Sequence, residues 1–161
     1  MLTKSSIYIK ILVFSGLLIL NFGALAIGGL LMGGSPASNE WYISLNKAPW
    51  TPPGWVFGFA WTFIMICFTF YIYNVINIKK SLKFTLLLYI LQWVLNVLWN
   101  PLFFKYHLTI LALITILLLF AVLLVMVFQV KTRQKHLFYI LPYLLWLLIA
   151  ISLNFYVVAY N

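Results

Sequence analysis

Five long apolar runs, at residues 11–32, 55–78, 84–104, 108–130 and 137–160, leave this chain almost no choice of architecture. A bilayer's hydrocarbon core is about 30 Å thick and takes roughly 20 predominantly apolar residues per helix. Each run meets that length, and the intervals between them are too short for a soluble domain. Amides facing lipid must be satisfied within their own segment, and the short alternating strands of a barrel are missing, so each run is read as a helix. The expected fold is all-α: one five-helix transmembrane bundle over 1–161, with helices near 6–33, 53–78, 82–105, 107–131 and 135–160. A loop rich in tryptophan and proline joins the first two.

Charge supplies the orientation. Lys4 and Lys10 precede the first span, Lys79, Lys80 and Lys83 lie between the second and third, and Lys131, Arg133 and Lys135 lie between the fourth and fifth. Only Lys47 and Lys105 fall on the other side. The positive-inside rule then places the N-terminus in the cytoplasm, with the Trp-rich loop and the C-terminus outside. The formal charge of +9 therefore reads as an orientation signal and an attraction to anionic lipid, not to nucleic acid. Ala24-Leu25-Ala26 after Lys4 and Lys10 imitates a signal-peptide cleavage site. The apolar run continues through Leu30 and Leu31 without a polar break, so the first helix is expected to be retained. Cys67 is single and lies mid-helix, which rules out an internal disulfide.

The spans differ in what polar groups they carry. Gln92, Asn96 and Asn100 recur at i, i+4 and i+8, one continuous stripe on the third span. Tyr143, Trp146, Ala150 and Asn154 form a comparable face on the fifth, and Asn21, Ala24 and Gly28 one on the first. Amides in hydrocarbon are costly unless paired, so these faces are expected to turn inward around one cavity. Gln92 and Asn100 serve equally well as simple interhelical hydrogen-bonding groups. Asn96, Trp146 and Ala150 together give the apolar wall with a few placed polar groups that suits a flat, lipophilic ligand.

Residues 41–61 hold four of the seven tryptophans and the only acidic side chain of the region and of the chain lies next to them, at Glu40. Pro49, Pro52 and Pro53 fix their own backbone angles and deny helix to the residues before them, giving a stiff connector over 47–54. Asn39 is placed to cap a short helix beginning at Glu40. Trp41 and Trp55 read as anchors at headgroup depth, whereas Trp50, held between prolines, is expected to point into the bundle.

These residues also carry a resemblance. Trp41-Tyr42, Leu45, Lys47, Trp50-Thr51-Pro52-Pro53, Trp55-Val56-Phe57, Ala60-Trp61-Thr62, Asn96, Trp99-Asn100, Phe103-Phe104, Pro142-Tyr143, Trp146, Ala150, Leu153-Asn154 and Asn161 are similar to the signature of the TspO/MBR family. That family comprises the translocator proteins and tryptophan-rich sensory proteins, also called peripheral-type benzodiazepine receptors. The resemblance to its bacterial-type members implies a homodimer in the bacterial cell membrane. It implies binding of porphyrins (protoporphyrin IX or haem), sterols, and isoquinoline carboxamide or benzodiazepine ligands in a cavity closed by the loop. Residue by residue, Trp50 and Trp146 match the cavity tryptophans implicated in porphyrin photochemistry, Asn96 the ligand-adjacent asparagine, and Ala150 the small pocket residue. Asn21, Pro49, Phe57, Trp99 and Tyr143 complete the expected ligand-binding set. Two departures stand out: Lys47-Ala48-Pro49-Trp50 shifts one proline before the tryptophan, and Tyr160 is followed by Asn161 where the sterol-recognition pattern wants a basic residue.

With Glu40 the only carboxylate, no acid–base pair exists and no carboxylate orients a histidine, which excludes hydrolase chemistry. His107 and His136 fall in different connectors on opposite membrane faces, so no metal site is expected. Three readings follow: a receptor or sensor of porphyrins and related lipophiles, which needs no cofactor; a passive transporter of the same ligands; and a photo-oxidative catalyst acting through Trp50 and Trp146. No charged residue lies inside a run, which argues against ion-coupled pumping. Gly29 with Gly33 and Gly54 with Gly58 fit the spacing of close helix contacts, within or between copies.

Overall fold

The computed structural model describes residues 7–76, 82–129 and 136–161. The basic residues Lys4, Lys79, Lys80, Lys131, Arg133 and Lys135 lie outside them, as do the outermost residues of several expected helices. Among the described residues the structure is helical: α1 (Ile7–Leu31), a short α2 (Glu40–Ser44), α3 (Gly54–Ile76), α4 (Leu82–Asn100), α5 (Thr109–Gln129) and α6 (Leu137–Tyr160). α1, α3, α4, α5 and α6 are long and apolar enough to cross a membrane, and they match the five runs of the sequence.

The five spans pack as a closed ring. α1 lies against α3 and α4, α5 against α4 and α6, and α3 against α6. Two elements at one end of this ring position the candidate site. The first is α2, where the Asn39 side chain accepts from the Tyr42 N–H at 2.9 Å, as its cap position predicts. The same amide donates to the Phe104 carbonyl at 2.9 Å, so one side chain both starts the lid helix and ties it to the end of α4.

The second element is the wide turn Pro101–Lys105 that extends α4. Proline brings no N–H for the Val97 carbonyl, and the chain answers with longer-range bonds, Tyr106 N–H to Pro101 O at 3.0 Å and Leu108 N–H to Leu102 O at 2.9 Å. A turn of this i→i+5 type bulges the backbone. It pushes Phe103 and Phe104 into the bundle, where both are buried. His107 then reverses the chain with φ of 56°.

α1 approaches α4 closely at Gly28. A Cβ there would sit 2.6 Å from the Asn100 side-chain nitrogen, so only glycine permits the present spacing without movement of that amide. By contrast Gly54 and Gly58 have open space around them, and they pack no helix within this chain.

Candidate functional site

Between α3, α4, α5, α6 and the loop lies a cavity with about 690 Å³ of empty space counted to its open mouth, within the range of small-molecule sites. Of the expected set, Phe57, Asn96, Trp99, Trp146 and Ala150 line it. Phe57 meets Trp146 edge-to-face at 5.4 Å, and Trp99 stacks on Phe103 at 5.7 Å. Trp61, on the same face of α3 as Phe57, adds a third indole to the wall.

Polar groups in this wall are few and their commitments differ. Asn154 orients its amide so that the nitrogen donates to the Thr109 carbonyl at 3.1 Å and the oxygen accepts from the Trp99 indole N–H at 3.1 Å. That side chain fixes Trp99 and joins α4, α5 and α6. Asn96 is only 3% exposed, and its amide nitrogen has no partner among the described residues. An unpaired buried donor costs about 1–3 kcal/mol, so Asn96 is held ready for an acceptor.

Tyr143 lies beneath the cavity instead of in its wall. Its hydroxyl accepts from the Gln92 side-chain nitrogen at 3.0 Å, and its ring packs edge-on against Trp61 and Phe68. With Met65, Phe68 and Leu123, all fully buried, it makes a packed floor. Deeper still, the Tyr71 hydroxyl donates to the Met126 carbonyl at 2.8 Å and closes α3 onto α5.

Three expected residues lie elsewhere. Asn21 is 1% exposed and is consumed in a three-helix tie: Tyr89 O–H donates to its oxygen at 2.8 Å and its nitrogen donates to Thr69 Oγ at 2.8 Å. The polar face of α1 therefore serves the α1–α3–α4 junction and does not reach the cavity. Pro49 and Trp50 occupy the middle of a tight turn closed by the Thr51 N–H and hydroxyl on the Ala48 carbonyl, at 2.9 and 2.7 Å. Proline at the second turn position presets this bend. Its outer residues, Ala48 and Thr51, face the cavity, which sends the two central ones outward. Trp50 is 55% exposed, its indole N–H donating to Ser152 Oγ at 3.1 Å and its ring edge-on to Tyr156. The expectation that Trp50 points into the bundle is thus corrected: it straps the lid to the flank of α6.

Trp41 also departs from its expected place. It stacks on His107 at 4.1 Å and meets Phe103 edge-on, so it binds the lid to the turn after α4. Trp55 is exposed, as an anchor at headgroup depth would be. The lid is further held by Asn161, whose amide accepts from the Asn46 N–H at 2.8 Å and donates to the Asn46 carbonyl at 3.2 Å. Burial pushes the Tyr42 phenol above its ordinary range, in keeping with its place between the lid and Phe104. The lining residues Lys47, Thr51 and Trp61 were not singled out from the sequence, although all three stand in the quoted signature.

Residues 16–160 match the TspO/MBR family profile. The chain is similar to a tryptophan-rich sensory protein of Cereibacter sphaeroides, 37% identical over 142 residues that cover 82% of this chain and 88% of that protein. It is also similar to a tryptophan-rich protein TspO of Archaeoglobus fulgidus, 31% identical with 75% and 80% covered. A third relative is Protein CrtK of Rhodobacter capsulatus, 29% identical with 71% and 74% covered.

Proposed function

The chain belongs to the TspO/MBR family, and on that premise we propose that this integral membrane protein is a receptor for porphyrins, protoporphyrin IX or haem, and related flat lipophiles. The supporting observation is the lidded cavity: three indoles, two phenylalanines and a single unpaired amide donor suit a planar apolar ligand with a hydrogen-bond acceptor. Isoquinoline carboxamides and benzodiazepines share that chemistry. We place the lid end outside the cell, from the charge distribution, and the homodimer rests on the family resemblance.

Passive translocation is the competing reading, and the floor of Tyr143, Met65, Phe68 and Leu123 argues against a path through the bundle. Light-dependent loss of porphyrin with dioxygen as oxidant, where it occurs, is assigned to the cavity indoles, Trp146 first, and no longer to Trp50.

Titration of tryptophan fluorescence with protoporphyrin IX tests the receptor reading. Saturable quenching is expected in the wild type, reduced in Trp146→Phe and nearly retained in Trp50→Phe. Quenching that does not change in Trp146→Phe, or labelled porphyrin accumulating inside proteoliposomes, would count against it.

A further inference from the structure

The cavity wall contains one charge, and it is positive. Lys47 lies at the mouth, in the lid. Its ammonium donates to the Tyr42 carbonyl at 2.9 Å and the Ile43 carbonyl at 3.1 Å and stands 4.9 Å over the Tyr42 ring. An ammonium has three donors, so one remains after these two bonds. No carboxylate pairs with it among the described residues, Glu40 being exposed on the first turn of α2. Deeper in the same cavity Asn96 offers a second uncommitted donor, its nitrogen buried without a partner. The wall thus presents donors at two depths, the outer one charged. Nothing in the lid's own architecture uses that charge, since capping the end of α2 needs only the two bonds already made.

We propose that this cavity selects carboxylate-bearing lipophiles, with Lys47 taking the carboxylate at the mouth and Asn96 an acceptor atom at depth. The proposal deepens the receptor reading and rests on it. A neutral ligand fills the same walls but leaves the ammonium facing apolar matter, so the discrimination is between acid and ester of one skeleton. At the edge of a protein, contact between two unit charges is strong enough for about a tenfold effect or more in affinity. Arginine keeps the charge at this position, whereas methionine keeps the stem and removes it.

The experiment compares protoporphyrin IX with its dimethyl ester, by tryptophan quenching, in nanodiscs of phosphatidylcholine. Partitioning into lipid is the same for every variant, so the readout is the change in the acid-to-ester affinity ratio. That ratio is expected to fall about tenfold in Lys47→Met and to stay within about threefold of wild type in Lys47→Arg. A loosened lid weakens acid and ester alike and leaves the ratio unmoved, which separates charge reading from damage to α2. An equal ratio in wild type and Lys47→Met, with both ligands binding, overturns the proposal and leaves the receptor reading standing. Absence of saturable binding of either ligand to the wild type overturns both. A repeat with added phosphatidylglycerol separates the sources of negative charge: if anionic lipid alone abolishes the wild-type ratio, Lys47 reads lipid headgroups and the proposal fails.

Discussion

Replacing Asn21 with leucine separates a structural role from a ligand role for the one polar residue that α1 buries at mid-span. In the native bundle its oxygen accepts from Tyr89 and its nitrogen donates to Thr69, both at 2.8 Å. Thr69 keeps its own bond to the Met65 carbonyl, so the loss of Asn21 orphans only the Tyr89 hydroxyl. Interhelical hydrogen bonds in membranes average about 0.6 kcal/mol and reach about 1.7, while an orphaned buried donor adds about 1 kcal/mol or more. Asn21→Leu, of similar shape, should therefore lower the unfolding free energy by about 2–3 kcal/mol. Tyr89→Phe removes one bond and should cost about 1 kcal/mol. The double variant contains no orphaned hydroxyl, so its cost should fall short of the sum by about 1 kcal/mol. Dodecyl sulfate titration in mixed micelles, followed by fluorescence, measures all three. Additive costs, or a tenfold loss of porphyrin affinity at unchanged stability, would refute the tie and return Asn21 to the ligand site.

Three further outcomes are expected. Ala150→Phe fills the cavity and should weaken porphyrin binding more than about tenfold, while unfolding shifts by less than about 1 kcal/mol because the ring enters existing space; retained binding in the fluorescence titration would show that the ligand sits elsewhere. Gly28→Leu drives a side chain into Asn100 and should cost about 1–3 kcal/mol by overpacking, whereas Gly28→Ala should cost less because the half-buried Asn100 amide can swing away; the same unfolding titration ranks them. Burial raises the Tyr42 phenol from 10.0 in the folded state, so the folded form holds its proton more tightly and stability is lost as pH rises above that ordinary value. Lid protection, read by hydrogen exchange of residues 39–51, should therefore decline in alkali in the wild type and decline less in Tyr42→Phe.

The five spans were legible because length and apolarity alone determine them, and the Asn39 cap because its chemistry is local. α6 was legible in detail: Tyr143, Trp146, Ala150 and Asn154 do share an inward face, since helical spacing fixes the relation between them. The spacing cannot say how far along the axis neighbouring helices meet. Asn21 therefore looked equivalent to Asn96, although ring order places it between α3 and α4 and away from the cavity. Trp50 failed for a different reason. Its direction is decided by a turn whose inner corners are Ala48 and Thr51, and the proline shift at Ala48-Pro49 was the sequence sign of that turn. Lys47 was read only as a charge outside the membrane, because nothing in the sequence places one lysine in a cavity wall.

The stripe on α4 explains how one bundle can be both tightly bound and hollow. Gln92, one turn below Asn96, is engaged by Tyr143, and at that depth large buried side chains from α3, α5 and α6 close the interior. Asn96, one turn above, has no such partner, because Ala150 on α6 is too small to reach it and the neighbouring positions, Trp99 and Trp146, stand back as walls. A further turn along, Asn100 meets α1 where Gly28 admits it. Three amides of the same kind thus take three roles according to the size of the residue opposite: tyrosine makes a floor, alanine a site, and glycine a helix contact. Ligand capacity in this chain is a property of the small residue facing the amide as much as of the amide itself.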